Sequence, residues 1–344
     1  MRTDIDYRER SNRFTGFDLF YNFMLETGDW SPDINVEAWM AENMDFDFEK
    51  RCVMGLFHGA TYAGPCESMF ADKFPVITPD VISDMIEFFQ TNKKRLLFSP
   101  ACKYRKIVFE KFLKSVGHSI KRYGTLGNYI KAELVEDPKT NYDRLKFKCQ
   151  KDWHHWGRMG HWSFTEALTQ FISAPLDPPT MEFEEGKSHR SGWAFCIGRD
   201  DLVEGKVSPG SMHMLEQTAS QYLKTVDHHD ANFLNLETCC CNYKRQHKGS
   251  RYGGCYIDEQ SWETDYMREL WPEYDWLWDK YIEGRSHVIP KSLLAECNKE
   301  RVFTDSAYIP SLNKALKDYG RIPRVEAYYN GTPQVWKELK DMYV

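Results

Sequence analysis

The sequence predicts a mainly α fold: one compact helical domain with few short strands. Apolar residues recur at helical spacing along most of the chain, as in Phe14, Phe17, Phe20, Tyr21, Met24 and Leu25. Helix start and stop residues flank these runs. Gly- and Pro-rich turns separate them, and one short stretch, Trp193-Ala-Phe-Cys-Ile197, reads as a strand. Residues 1–295 form the predicted helical domain, and 296–344 a C-terminal extension packed on it.

The aromatic run from Phe14 to Leu25 is the first helix. His58-Gly-Ala-Thr-Tyr-Ala-Gly-Pro65 is a turn. Thr78-Pro79-Asp80 reads as a helix start, with Thr as N-cap and Pro in the first turn, ahead of the apolar face Val81, Ile82, Met85, Ile86, Phe88 and Phe89. Ile107 to Val116 is a helix predicted to end at Gly117. Ser163-Phe-Thr-Glu166 has capping-box spacing before an apolar run. Ala174 to Pro179 and Glu184 to Gly192 read as turns. A helix from about Asp230 to Gly249 carries three adjacent cysteines, and an acidic, Trp-rich helix lies near 260–283.

The chain has 344 residues, 42% hydrophobic and 15% aromatic, enough for a substantial core. The N-terminus is charged, and no uninterrupted apolar run reaches the roughly 18 residues of a membrane span, so a soluble, cytoplasmic protein without membrane contact is expected. In that setting the ten cysteines read as reduced thiols. The net charge of −6 argues against a simple polyanion binder. Charge is unevenly spread, however. Residues 93–122 hold ten Lys/Arg against Glu110, whereas 1–50 hold twelve acids against five bases. Such a basic stripe either holds phosphates or is a solvated helix face.

The cysteine triplet Cys239-Cys240-Cys241 is the first chemical candidate. On a helix, Cys241 shares a face with Glu237, Lys244 and Arg245, while Cys239 points elsewhere and Cys240 lies nearer Phe233 and Leu236. Cations beside a thiol favour the thiolate. Two readings stand: one reactive thiol, Cys241, with two packing neighbours, or three buried core thiols. Adjacent cysteines on a helix cannot easily converge on one ion. The histidine clusters 154–161 and 227–230 lack a familiar ligand spacing, so no metal site is assigned. Lys187-Ser-His-Arg-Ser-Gly192 groups cations, hydroxyls and an imidazole suited to an oxyanion; Gly198-Arg-Asp-Asp-Leu202 adds Arg199, Asp200 and Asp201. Gly157-Arg158 precedes a predicted helix, a natural anion site. No Walker or GxGxxG pattern is present.

Taken together, these segments resemble the bacteriophage α-glutamyl/putrescinyl thymine pyrophosphorylases, also called amino acid:DNA transferases. The resemblance runs in order over roughly residues 10–295. It begins with Phe17-Asp-Leu-Phe-Tyr-Asn-Phe23, then His58-Gly59-Ala60-Thr61 for an Asn-Gly-x-Thr turn, then Lys103-Tyr-Arg-Lys106 and Gly157-Arg158. Ser188 to Gly192, Gly198 to Leu202 and Leu236 to Lys244 complete it, with the family cysteine falling on Cys241. His58 departs from the family's Asn, and Tyr62-Ala-Gly-Pro65 is one residue longer than its Gln-Asn-Pro. The family is related to helical DNA glycosylases, but no helix-hairpin-helix glycine hairpin is evident here, so only the mainly α class carries over.

The resemblance implies that pyrophosphate on activated 5-hydroxymethyluracil in DNA is replaced by an amine, either an amino acid or a polyamine such as putrescine. It implies a phage origin and the host cytoplasm. Base flipping or a single-stranded substrate is expected. Cys241 is the candidate nucleophile, and Glu237, Asp200 and Asp201 the candidate bases. Lys187, Ser188, His189, Arg190, Arg199, Lys244, Arg158 and His58 are the expected pyrophosphate and substrate contacts, with or without Mg2+. Lys103, Arg105 and Lys106 are expected on the DNA backbone. A glycosylase-like base-excision enzyme and a non-catalytic DNA-binding accessory protein are the rival readings.

Overall fold

The computed structural model describes residues 9–98, 102–135, 140–172, 187–247 and 255–289, together with Leu176, Pro178, Thr180, Met181 and Phe183. Among them are fourteen α-helices and no strand. The predicted extension 296–344 lies outside the described residues.

Helix α3 (Phe48–Thr61) is the central element. Asp47 caps it by accepting from the Lys50 amide at 2.8 Å, and every residue from Cys52 to Thr61 is buried. It packs chiefly on α9 (Gly157–Phe171) and α4 (Gly64–Lys73), and also on α6 (Lys103–Ile120) and α7 (Leu126–Lys131). Helix α8 (Asn141–Asp152) closes against α9, and α5 (Ile82–Asn92) against α6. Helices α2 (Pro32–Asn43), α13 (Cys255–Leu270) and α14 (Asp275–Val288) pack on one another and on α4.

A second group gathers α1 (Arg13–Thr27), α10 (Lys187–Cys196), α11 (Pro209–Leu223) and α12 (Phe233–His247). Aromatic rings bind it: Phe17 stands edge-on to Trp193 at 5.8 Å and to Tyr243 at 5.6 Å. Helix α12 begins with a reciprocal cap. Asn232 Oδ1 accepts from the Asn235 amide at 3.0 Å, and Asn235 Oδ1 from the Asn232 amide at 3.1 Å. Both groups share one hydrophobic core that runs from Phe17 to Ile289.

The structure corrects several local expectations. Trp193 to Cys196 is the end of helix α10, not a strand. His189, Gly192, Trp193 and Cys196 are all buried at helical spacing, and a five-residue apolar run cannot distinguish the two states by pattern alone. The predicted turn 184–192 is helical from Lys187 onward. Ser163 is no cap, because α9 already starts at Gly157 and Glu166 is buried in its interior. Gly117 does not end α6; a side-chain carbon there would lie 2.7 Å from Ile82, so the glycine admits α5. Helix α5 itself starts at Ile82, one turn after Thr78. The acidic helix near 260–283 is two helices, broken at Pro272, which opens a short 3-10 turn.

The tightest approach between α10 and α12 falls at Gly192. A methyl group there would lie 2.8 Å from the Cys240 carbonyl carbon and 2.9 Å from the Cys241 amide nitrogen. These are backbone atoms that cannot turn aside. Gly192→Ala is therefore expected to lower stability by about 1–3 kcal/mol. Urea unfolding checks this, and an unchanged midpoint would mean that the two helices are free to separate.

Candidate active site

The contact at Gly192 aligns two faces. His189 Nδ1 on α10 lies 3.2 Å from Glu237 Oε2 on α12. Two residues further along α10, Ser191 Oγ accepts from Lys244 Nζ at 2.7 Å. Glu237 is wholly buried.

The cysteine triplet resolves by burial. Cys239 and Cys240 are fully buried, and burial pushes both thiols well above their ordinary range. The Cys240 thiol donates to backbone carbonyls of Glu237 at 3.2 Å and His189 at 3.5 Å. Cys241 alone of the three is partly exposed. Its surroundings include the buried Cys196, whose other neighbours are the cations Arg13 and Lys244.

Glu166 on α9 extends this site inward. It is 1% exposed, and burial followed by the charge of Glu237 pushes its carboxyl well above the usual range; neither carboxyl oxygen has a hydrogen-bond partner among the described residues. Tyr62, at the C-cap of α3, is the next link. It holds a left-handed backbone at φ 53°, a strained state for a bulky residue. Burial raises its phenol, with Glu166 the largest charged influence.

Around Tyr62 the interior stays polar. The His58 ring lies 4.8 Å from the Tyr62 ring. His58 Nδ1 meets Glu67 Oε2 at 2.9 Å, and Glu67 Oε1 accepts from the Ala63 amide at 2.6 Å and from Thr61 Oγ1 at 3.3 Å. His58 Nε2, on the other side of the ring, is buried without a hydrogen-bond partner. Arg105 Nη2 is likewise buried and unpartnered. Behind Glu67, Glu37 accepts from Ser68 Oγ at 2.9 Å, and burial followed by the Glu67 charge pushes its carboxyl well up. Asp33 accepts from Tyr281 at 2.7 Å and Gln260 at 2.9 Å. Glu37, His58 and Glu67 offer ligand atoms within 4.8 Å of one another, as do the more exposed His228, His229 and Asp230.

The predicted residues therefore separate. Cys241, Glu237, His189 and Lys244 come together. Asp200 and Asp201 sit on an exposed 3-10 turn, each taken by an arginine: Arg13 at 2.5 Å on Asp200, Arg199 at 2.7 and 2.8 Å on Asp201. Lys187 and Ser188 are exposed in the first turn of α10, and Arg190 donates to the Gly205 carbonyl at 3.1 Å. His58 belongs to the Glu67 network. The side chains of Arg158 and Lys103 lie outside the described residues. Arg105 is turned away from any DNA backbone: it is 4% exposed and donates to the Gly59 carbonyl. Lys106 is half-buried, with Nζ donating to the Leu96 carbonyl at 2.9 Å. Helical period explains both, since positions 105 and 106 of α6 face the core side. Glu37 and Glu67 were not singled out in the sequence, and Glu166 and Tyr62 were read only as a capping-box residue and part of a turn; the left-handed backbone at Tyr62 and the convergence of acids appear only in three dimensions.

Residues 77–252, more than half of the chain, match the amino acid:DNA transferase family, and the chain belongs to it. It is 26% identical over 326 residues to a serinyltransferase of Salmonella phage ViI, covering 85% of this chain and 77% of that relative. No solved structure matches it. Among the described residues no helix is long and apolar enough to cross a membrane.

Glu166 makes a pH dependence. A carboxyl raised in the folded state binds more protons folded than unfolded, so its contribution to stability falls as pH rises above the unfolded value of about 4.3. Glu166→Gln removes that loss. Its stability relative to the parent is expected to increase from pH 4 to pH 8 in urea unfolding; a constant difference would mean that Glu166 ionises normally.

Proposed function

We propose that this chain displaces pyrophosphate from 5-pyrophosphoryloxymethyluracil in DNA with an amine, an amino acid or a polyamine such as putrescine. One observation carries the reading: two motif segments some fifty residues apart meet at a single helix contact, His189 to Glu237 at 3.2 Å and Ser191 to Lys244 at 2.7 Å. Both segments fall inside the family match. The name of the phage relative, serinyltransferase, favours an amino acid as donor.

In this reading the target base leaves the duplex to reach the interior. The Cys241 thiolate adds to C6 of the uracil, and the electron pair moves to C5. Pyrophosphate departs with its bonding pair and leaves an exocyclic methylene. The amine nitrogen bonds to that methylene and gives up a proton; C6–S then breaks and regenerates the thiolate. Glu237, paired with His189 and one helical turn before Cys241 on α12, is the base, and Lys187, Ser188 and Arg190 at the start of α10 are the contacts for pyrophosphate. Mg2+ bound with the pyrophosphate would neutralise part of its charge. Asp200 and Asp201 serve instead to hold Arg13 and Arg199.

Incubating the protein with pyrophosphorylated hydroxymethyluracil DNA and a panel of amines is expected to release pyrophosphate only when an amine is present. The strand should stay intact and nucleoside mass should rise. Abasic sites or nicks with no new nucleoside would rule the transferase out. Cys241→Ser should cut turnover on the order of 10³-fold or more without unfolding the protein. Cys239→Ser should instead cost about 1–3 kcal/mol of stability, because its hydroxyl would be buried. Near-normal turnover by folded Cys241→Ser would replace the covalent route with direct displacement.

A further inference from the structure

We propose that Tyr104 and Ile107, at the N-terminal end of α6, form an apolar wedge that enters duplex DNA beside the target base. The inference rests on the DNA-transferase reading and adds the means of opening the duplex.

Helix α6 has one outward stripe: Tyr104, Ile107, Lys111, Lys114 and His118, spaced three and four residues apart. Its other faces pack. Phe109, Phe112, Leu113, Val116 and Ile120 are at most 1% exposed. On the stripe, Tyr104 is 60% and Ile107 76% exposed. A single exposed apolar side chain needs no explanation, but two large ones in adjacent turns make a continuous patch.

The rim of that patch is cationic. Lys111 and Lys114 continue the stripe, and Lys93 and Lys94 stand exposed at the end of α5. Lys93 is a charged neighbour of Lys106, which places that end of α5 beside the first turn of α6. Glu110, the single acid between residues 93 and 122, is engaged by Lys114 at 2.7 Å and Gln90 at 2.9 Å. An apolar tip ringed by lysines matches stacked bases flanked by phosphates.

The tip also adjoins the interior site. Arg105 lies between the two wedge residues in sequence and reaches inward to the Gly59 carbonyl, three residues before Tyr62. A base displaced by Tyr104 and Ile107 would thus leave the stack within one helical turn of the residue that contacts the His58–Tyr62 region. Base unstacking and base capture would share one helix end.

The test uses the full chain and a hydroxymethyluracil duplex with 2-aminopurine beside the target. Wild type should raise 2-aminopurine fluorescence on binding. Tyr104→Ala/Ile107→Ala should lose most of that rise, at least about five-fold, with an unchanged salt slope of binding. Lys111→Ala/Lys114→Ala should do the reverse: keep the rise and reduce the slope by about 2. On activated DNA, the duplex to single-strand turnover ratio of the wedge variant should fall about ten-fold. Both wedge residues are exposed, so thermal unfolding should not change. An undiminished fluorescence rise, or equal losses on single and double strands, would overturn the wedge, as would failure of wild type to bind the duplex. A photo-crosslinker at position 107 should capture DNA; capture of a second copy or of residues 290–344 would overturn it too. Unstacking by a wild type that transfers no amine would leave the wedge standing and remove the transfer chemistry alone.

Discussion

The backbone contact of Gly192 with the Cys240–Cys241 peptide is the constraint on which the candidate site depends. Two helices normally pack with axes 8–10 Å apart, at a distance set by the side chains between them. Here the intervening residues are small: Gly192 on α10, and Cys196, Cys239 and Cys240 buried around it. Cysteine fits because it is a small, apolar side chain with a weak S–H donor. That donor is used, since the Cys240 thiol faces the carbonyls of Glu237 and His189. The run of three cysteines thus has a structural origin in two of its members. Close packing then makes the third, Cys241, the one that remains near the surface, in a setting shared with Lys244 and Arg13. The same closeness lets the short side chains of Ser191 and His189 span the gap to Lys244 and Glu237.

Electrostatics place a second demand on the interior. Glu37, Glu67, Glu166 and Glu237 are at most 1% exposed. Isolated charges at such depth are very costly, so the groups must share protons or collect donors. Both solutions are visible. Glu67 gathers the His58 imidazole, an amide and a hydroxyl. Glu37 and Glu166 are instead pushed up in pKa by burial, each beside a second carboxylate. A chain that only needed a stable core would gain by replacing such acids with apolar residues. Carboxyls with such raised pKa values cluster at functional sites. Strain at Tyr62, between the two acid groups, points the same way.

Much of the fold was legible because helical period and turn chemistry are local. The aromatic face of α1 and the cysteine helix α12 were both read from spacing. What failed had a tertiary cause. Gly117 looks like a terminator, but its role is to admit Ile82. Trp193 to Ile197 looks like a strand because five apolar residues have no room to display a period of 3.6. The i, i+3 and i+4 geometry put Cys241, rather than its neighbours, on the face of Glu237, Lys244 and Arg245, while three buried core thiols stood as the alternative. The meeting of His189 with Glu237 did not, since nothing local relates α10 to α12. Glu37, Glu67 and Glu166 are single acids in separate helices, indistinguishable in sequence from solvated ones.

The basic stripe shows how charge counting and helix geometry diverge. Ten Lys/Arg between residues 93 and 122 suggest one broad phosphate-binding face. Consecutive residues of a helix do not share a face, however, and α6 divides residues 104–107 between its core side and its solvent side. Arg105 goes to the core and Lys106 to a backbone carbonyl, while Tyr104 and Ile107 go to solvent. The outer face therefore holds fewer cations than the sequence implies, on a chain whose net charge is −6. Long-range attraction to DNA is correspondingly weak, because a net negative protein and a polyanion repel beyond the local patch. Recognition on such a surface must draw on short-range contacts as well as charge: apolar side chains against bases, with a few lysines fixing the strand. Burying Arg105 fits that division, for a guanidinium spent on general attraction could not also stand at the interior site. The sequence places both uses in one helical turn, and only the backbone's rotation separates them.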